Sequence, residues 1–125
     1  MSGNKIIIAA ADITLEAELN GSETAKQIFD ILPVEGRASV WGEEIYFEIP
    51  LQLAAESDAR AEVNVGELGY WPTGSAFCIF FGPTPVSTGD KPQAYSPVNV
   101  FGQVVGDAKQ LLAVADQTVV RVMPA

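Results

Sequence analysis

The chain contains no histidine and a single cysteine, Cys78. Without histidine, serine–histidine and cysteine–histidine nucleophile pairs cannot be built. Zinc, copper and iron sites of the usual nitrogen and sulfur kind lack their ligands, and no metal or other cofactor is expected. One cysteine cannot close an internal disulfide, which fits a reducing compartment. Basic residues are scarce as well: seven Lys and Arg, scattered singly, stand against sixteen Asp and Glu, for a net charge of −9. Phosphate backbones are bound by Lys and Arg that neutralise them, so nucleic acid is excluded as a partner. Anionic membranes are disfavoured for the same reason, and the charge reads as solubility. Nor is there an apolar run near the roughly 20 residues that a membrane helix needs. The start, MSGNKIIIAAADITLEAEL, makes a poor leader, because its apolar stretch is brief and Asp12 falls where a small-residue cleavage site should follow. A prokaryotic cytoplasm is the expected setting.

What is present is apolar and alternating. Apolar residues make up 48% of 125 residues and charged ones 18%, which suits one domain spanning 1–125 with a well-filled core. The dominant period is two, the mark of half-buried strands. Lys5–Ala9 and Ile13–Leu19 read as a hairpin turning at Asp12, with Ile13, Leu15, Ala17 and Leu19 on one face. Asn20-Gly21-Ser22 then offers capping side chains, Glu23 suits a first helical turn, and Ala25, Ile28, Phe29 and Leu32 recur at helical spacing. Glu23–Leu32 is therefore an amphipathic helix, stopped by Pro33. Strands are expected at Arg37–Trp41, Glu43–Ile49, Ala61–Val65, Leu68–Trp71, Ala76–Phe81, Val98–Val105 and Thr118–Met123. Leu51–Arg60 can be a short strand or an irregular loop, Ser87–Pro97 reads as a loop, and Asp107 caps a short second helix within Asp107–Val114. So many strands beside one good helix argue for an all-β closed barrel of about eight strands.

Several stretches resemble the cyclophilins, the barrel-shaped peptidyl-prolyl isomerases. Thr24–Leu32 resembles their first helix, and Gly66-Glu67-Leu68-Gly69-Tyr70 a mid-chain Gly-x-Leu-Ser-Met segment. Ala76–Phe81 resembles their Ser-Gln-Phe-Phe-Ile strand, and Val98-Asn99-Val100-Phe101-Gly102-Gln103-Val104 their His-Val-Val-Phe-Gly-x-Val stretch. Trp41-Gly42-Glu43-Glu44-Ile45-Tyr46-Phe47, Tyr70-Trp71-Pro72-x-Gly74, Phe80-Phe81-Gly82-Pro83-Thr84-Pro85 and Ser96-Pro97-Val98-Asn99 are similar to signatures of a small prokaryotic cyclophilin-like family of largely uncharacterised proteins. That resemblance implies a cyclophilin-like barrel and carries no established activity. It also exposes departures. The cyclophilin catalytic arginine would fall within Val40–Ile45, where there are carboxylates instead, and the catalytic histidine falls on Val98. The upstream tryptophan falls near Gln93–Tyr95, and the pocket phenylalanine on Phe77 or Phe80. Losing a cation that hydrogen-bonds the substrate carbonyl removes a charge-assisted bond of about 1.5–3 kcal/mol, which argues against efficient prolyl isomerisation.

Three groups of residues are candidates for a site. Tyr46, Tyr70, Trp71, Phe77, Phe80 and Tyr95, with their neighbouring prolines, can line an aromatic groove for a peptide or a flat small molecule. The competing reading is barrel core, since period two turns alternate residues inward and Phe77 and Phe81 cannot share a face with Phe80. Glu43 and Glu44, with Glu48 and Glu67, can do acid–base work or hold a hard cation. Against this, Glu44–Tyr46–Glu48 is what a solvated strand face looks like. In the loop Gly82–Pro97, Thr84, Ser87, Thr88 and Ser96, with Asn99 beyond it, offer hydrogen-bonding groups on a rigid rim or merely connect strands. Cys78 reads as a small buried apolar residue. The leading expectation is a non-catalytic binding module for a peptide or small ligand, its groove formed by Tyr46, Tyr70, Trp71, Phe77, Phe80, Thr84, Tyr95 and Asn99. A weak prolyl isomerase and a homodimeric interaction subunit are the alternatives.

Overall fold

The computed structural model describes residues 4–125; residues 1–3, the first part of the stretch read above as a poor leader, lie outside it. Among the described residues ten strands form: β1 (Lys5–Ala10), β2 (Ile13–Leu19), β3 (Val34–Arg37), β4 (Ser39–Val40), β5 (Glu44–Glu48), β6 (Arg60–Glu62), β7 (Glu67–Trp71), β8 (Ala76–Phe80), β9 (Gln93–Val105) and β10 (Val119–Pro124). One α-helix, α1 (Glu23–Asp30), follows β2, and 3₁₀ turns lie at Pro72–Gly74 and Ala108–Ala113. The strands pair antiparallel in the order β3-β10-β1-β2-β9-β7-β8-β5-β4, with β6 added to β9. The outermost strands of this path, β3 and β4, are consecutive in the chain with Ala38 alone between them. Ala38 itself stays bonded to the β10 side, donating to Thr118 O and accepting from Gln117 N, each at 2.7 Å. A single segment thus runs beside β10 with its first half and beside β5 with its second. The count is higher than the eight or so expected because that segment is two strands rather than one.

Most boundaries follow from local chemistry. The Ala11-Asp12 hairpin loop places Ala11 at a φ of 54°, the hand that two-residue hairpins require. Ser22 caps α1 by accepting from Ala25 N at 3.1 Å, and the helix ends at Asp30, two residues earlier than its apolar spacing suggests. Asp107 caps the second helical turn through Lys109 N at 2.9 Å. Leu51–Arg60 takes the irregular alternative for most of its length, with β6 beginning only at Arg60. The larger difference is at β9, which begins at Gln93 and so converts half of the expected Ser87–Pro97 loop into strand. Pro97 is accommodated where the β6–β9 register breaks: Arg60 faces Val98 and Glu62 faces Gln93, leaving Pro97 inside a bulge.

Two cores result. The larger contains Ile6, Ile8, Leu15, Ile45, Phe47, Leu68, Tyr70, Phe77, Ile79, Phe101 and Val122, with Ala25 and Ile28 of α1. The smaller, on the opposite face of β7 and β8, holds Val63, Ala76, Cys78, Phe80, Ala94 and Val98, with Tyr46, Trp71 and Val100 packed against it. All five residues of β8 are buried, because its two faces serve different cores. That is why AFCIF reads as a continuous apolar run rather than an alternation. Among the described residues, no helix is long and apolar enough to cross a membrane.

Candidate functional site

The smaller core does not close over completely. A pocket of about 260 Å³ opens in it, lined by Trp41, Glu44, Tyr46, Trp71, Cys78, Val86, Ala94, Tyr95 and Val98. Cys78, Val98, Ala94 and Glu44 are buried and form its base, while Tyr95, 74% exposed, stands at the rim. β5 contributes Glu44 and Tyr46, one parity of the strand, and β8 contributes Cys78, which pairs with Tyr46 across the ladder. The aromatic walls are mutually braced. Tyr46 and Trp71 meet edge to face with ring centres 6.3 Å apart, Trp71 and Tyr95 do so at 6.2 Å, and Trp41 and Tyr95 at 6.3 Å. Such edge-to-face contacts are the favoured arrangement of aromatic quadrupoles.

The loops that hold these walls are the motif segments. Gly42 has a φ of 61°, and a Cβ there would lie 2.8 Å from Thr84 Cα and from Pro85 Cδ. Trp41-Gly42-Glu43 therefore turns directly against Pro83-Thr84-Pro85, an apposition sealed by Glu43 N donating to Pro83 O at 3.0 Å and Phe81 N to Glu43 O at 2.9 Å. At Gly74 a Cβ would sit 2.6 Å from the Trp71 ring, so only glycine lets the indole lie against that turn.

The two expected carboxylates part company. Glu43 is partly exposed and ion-paired with Lys109 Nζ at 2.8 Å. Glu44 is 5% exposed, and its Oε1 is one of two buried side-chain polar atoms without a hydrogen-bond partner among the described residues, the other being Asn4 Oδ1. Burial pushes the Glu44 carboxyl up from 4.5 to about 7, with the Cys78 thiol offsetting a little of the rise. The solvated face expected for Glu44–Tyr46–Glu48 is thus confined to Glu48; Glu44 is buried and Tyr46 half-buried. Cys78 is buried, and its thiol is pushed up first by that burial and then by the Glu44 charge, so it is a poor nucleophile.

Of the expected groove, Tyr46, Trp71 and Tyr95 meet in the pocket. Phe80 lies in the packed layer that backs it and is fully buried. Tyr70 and Phe77 do not belong to it: strand parity turns both into the larger core, where Phe77 stacks on Phe47 at 5.2 Å. The Tyr70 hydroxyl is spent on the 51–53 segment, donating to Leu51 O at 2.7 Å and accepting from Leu53 N at 3.0 Å. Thr84 stabilises its own loop, its hydroxyl donating to Gln93 O at 2.5 Å. Asn99 is fully buried and ties three segments together through Glu56 N, Ala54 O and Thr24 Oγ1. Trp41, Cys78, Val86, Ala94 and Val98 complete the lining, none of them named in the expected groove. Trp41 carries a usable signal, since it opens the WGEEIYF stretch that also holds Tyr46. The segments aligned above with the cyclophilin arginine, tryptophan and histidine supply Trp41 and Glu44, Tyr95, and Val98, all of them in the pocket.

Among curated proteins none matches the chain. A solved structure similar to it is the solution structure of a hypothetical protein from Archaeoglobus fulgidus, with 35% identity, a TM-score of 0.81, and coverage of 100% of this chain and 98% of that one. The model of the cyclophilin-like family matches residues 4–123. The chain belongs to the cyclophilin-like family.

Proposed function

We propose that the protein is a non-catalytic binding module whose peptide or small ligand occupies the aromatic pocket on the outer side of β5, β7 and β8. The observation that carries this reading is the pocket itself: four edge-braced aromatic side chains around about 260 Å³ of space, above a buried base. A volume near the small end of ligand pockets, which span roughly 300–1,000 Å³, suits one side chain or one headgroup. No Lys or Arg lines it, which removes the donor that a prolyl isomerase of the cyclophilin kind sets against the substrate carbonyl. The sheet is read as a closed barrel because Ala38 alone separates its outermost strands, so the chain itself joins the two edges. A reducing cytoplasm suits the free, buried Cys78.

Both tryptophans of the chain, Trp41 and Trp71, line the pocket, so intrinsic fluorescence and amide NMR report on the same place. The test is a titration with Xaa-Pro dipeptides, small alcohols, alkylammonium salts and small carboxylates, with exchange spectroscopy on the dipeptides. Shifts confined to Trp41, Tyr46, Trp71 and the Val86–Val98 segment are expected, with cis–trans exchange at its spontaneous rate. Accelerated exchange would turn the reading to isomerase, and a panel in which no member moves these resonances would overturn it.

A further inference from the structure

The pocket has one charged group and it is negative. Glu44 is 5% exposed, lines the cavity, and leaves Oε1 without a partner among the described residues. A buried carboxylate is unfavourable unless it is paired and hydrogen-bonded, and the rest of the lining offers it little: Trp41, Tyr46, Trp71 and Tyr95 around the sides, and Cys78, Ala94, Val98 and Val86. An anionic ligand would meet that carboxylate with no cation to receive it. A hard metal ion needs six or more oxygen ligands, where the pocket lining supplies one carboxylate. A neutral apolar ligand would leave Oε1 unanswered, and a neutral donor would give it a hydrogen bond but leave its charge unbalanced. An organic cation answers every part: its charge meets the carboxylate, its alkyl groups meet the walls, and aromatic rings attract a cation through their quadrupoles. The net charge of −9 raises the local concentration of cations further.

Resting on the binding reading above, we propose that the pocket is selective for an organic ammonium group, held by Glu44 as its counter-charge and walled by Trp41, Tyr46, Trp71 and Tyr95. The other titratable groups lining the pocket are Tyr46 and Tyr95 on its sides and Cys78 from β8; beside it, Glu43 is already neutralised by Lys109. With Glu44 ionising near 7 in the empty pocket, a permanent cation binds the ionised form and displaces the proton. Affinity for it therefore rises between pH 6 and 8, by about tenfold.

The test uses the intact chain and three probes of one shape: choline, the uncharged 3,3-dimethylbutan-1-ol and the anionic 3,3-dimethylbutanoate, read by tryptophan fluorescence and amide NMR at pH 8. Choline is expected to bind at least tenfold more tightly than the alcohol, and the carboxylate not at all. Glu44→Gln is expected to abolish the preference, bringing choline and the alcohol to the same level. Tyr95→Ala, at a rim position that is 74% exposed, is expected to weaken choline several-fold. A trimethyllysine peptide in a fourth arm separates the sources: binding equal to choline points to a free small molecule, and much tighter binding to a modified side chain, the ammonium group being shared. If the alcohol binds as well as choline, or Glu44→Gln leaves choline unaffected, the ammonium proposal is overturned while the binding module stands. If no probe of any charge moves the pocket resonances, the ammonium proposal is overturned as well, and the binding module is decided by the wider panel of dipeptides and small molecules above.

Discussion

The Trp71 indole N–H donates to Ser96 Oγ at 2.6 Å, joining the end of β7 to the early part of strand β9 across 25 residues of sequence. With Gly74 pressed against the ring on the other strand connection, this bond fixes the orientation of the pocket wall before any ligand arrives. Preorganisation of this kind raises affinity by removing the cost of ordering a side chain, about 0.5–1.5 kcal/mol for one rotamer-rich group. Ser96→Ala is therefore expected to weaken choline by about three- to tenfold while changing urea stability by no more than about 1 kcal/mol. Equal affinity in the two proteins would mean that packing alone holds the indole.

Glu44 also sets a pH dependence of stability. Below 4.5 folded and unfolded states both carry its proton, and well above 7 neither does; between those values only the folded state keeps it. The folded protein thus binds more protons in that window, and stability falls as pH rises through it. A gap from 4.5 to about 7 corresponds to about 3 kcal/mol for this one group. Urea denaturation at pH 5 and pH 8 should show the native protein losing about 2.5 kcal/mol more than Glu44→Gln, the unfolded carboxyl being already mostly ionised at pH 5. Parallel losses in the two proteins would mean that the Glu44 carboxyl ionises in the folded state as it does in the unfolded one.

What the sequence concealed here is parity and cover. Period two correctly separates Phe77 from Phe80, and helix α1 and its Ser22 cap are legible from spacing and side-chain chemistry. Yet the alternation Glu44–Tyr46–Glu48 looks the same whether the face meets water or a second core. Deciding between them requires knowing that the early residues of β9 and the segment before it fold back over β5 and β8, a long-range fact. AFCIF held the local trace of it: five buried residues in a row need cover on both sides. Tyr70 and Asn99 were misleading for a related reason. A buried hydroxyl or amide looks like a ligand group until the irregular 49–59 segment, which has no periodicity of its own, is seen to take its hydrogen bonds.

Gly69 marks a close approach within the smaller core. A Cβ there would lie 2.7 Å from Val98 Cγ2 and 3.2 Å from Phe80 Cε2, so Gly69→Ala forces Val98 toward the pocket it lines. Overpacking of this kind costs about 1–3 kcal/mol, and the narrowed base should weaken choline as well. Gly21→Ala, where a Cβ meets nothing within 4 Å, is the matched control and should change stability and binding little. Unaltered stability in Gly69→Ala would show that Val98 has room to move away.

Asn99 separates architecture from binding. Its Oδ1 accepts from Glu56 N at 2.8 Å, and its Nδ2 donates to Ala54 O at 3.0 Å and Thr24 Oγ1 at 3.2 Å. Glu56 in turn accepts from Thr24 N at 3.1 Å and from the Thr24 hydroxyl. One amide thereby fastens the 49–59 segment to the start of α1 and to β9, and it does so away from the pocket, whose lining it does not join. Asn99→Ala strips partners from the part-buried Glu56 N and Ala54 O and from the buried Thr24 hydroxyl, and a buried polar group left unsatisfied costs about 1–3 kcal/mol. A loss of about 3 kcal/mol in urea stability is expected, with hydrogen exchange accelerated through residues 51–59. Choline affinity, measured where the variant is still folded, should match that of the native protein. A variant that is stable yet fails to bind would return Asn99 to the binding site and displace the pocket from it.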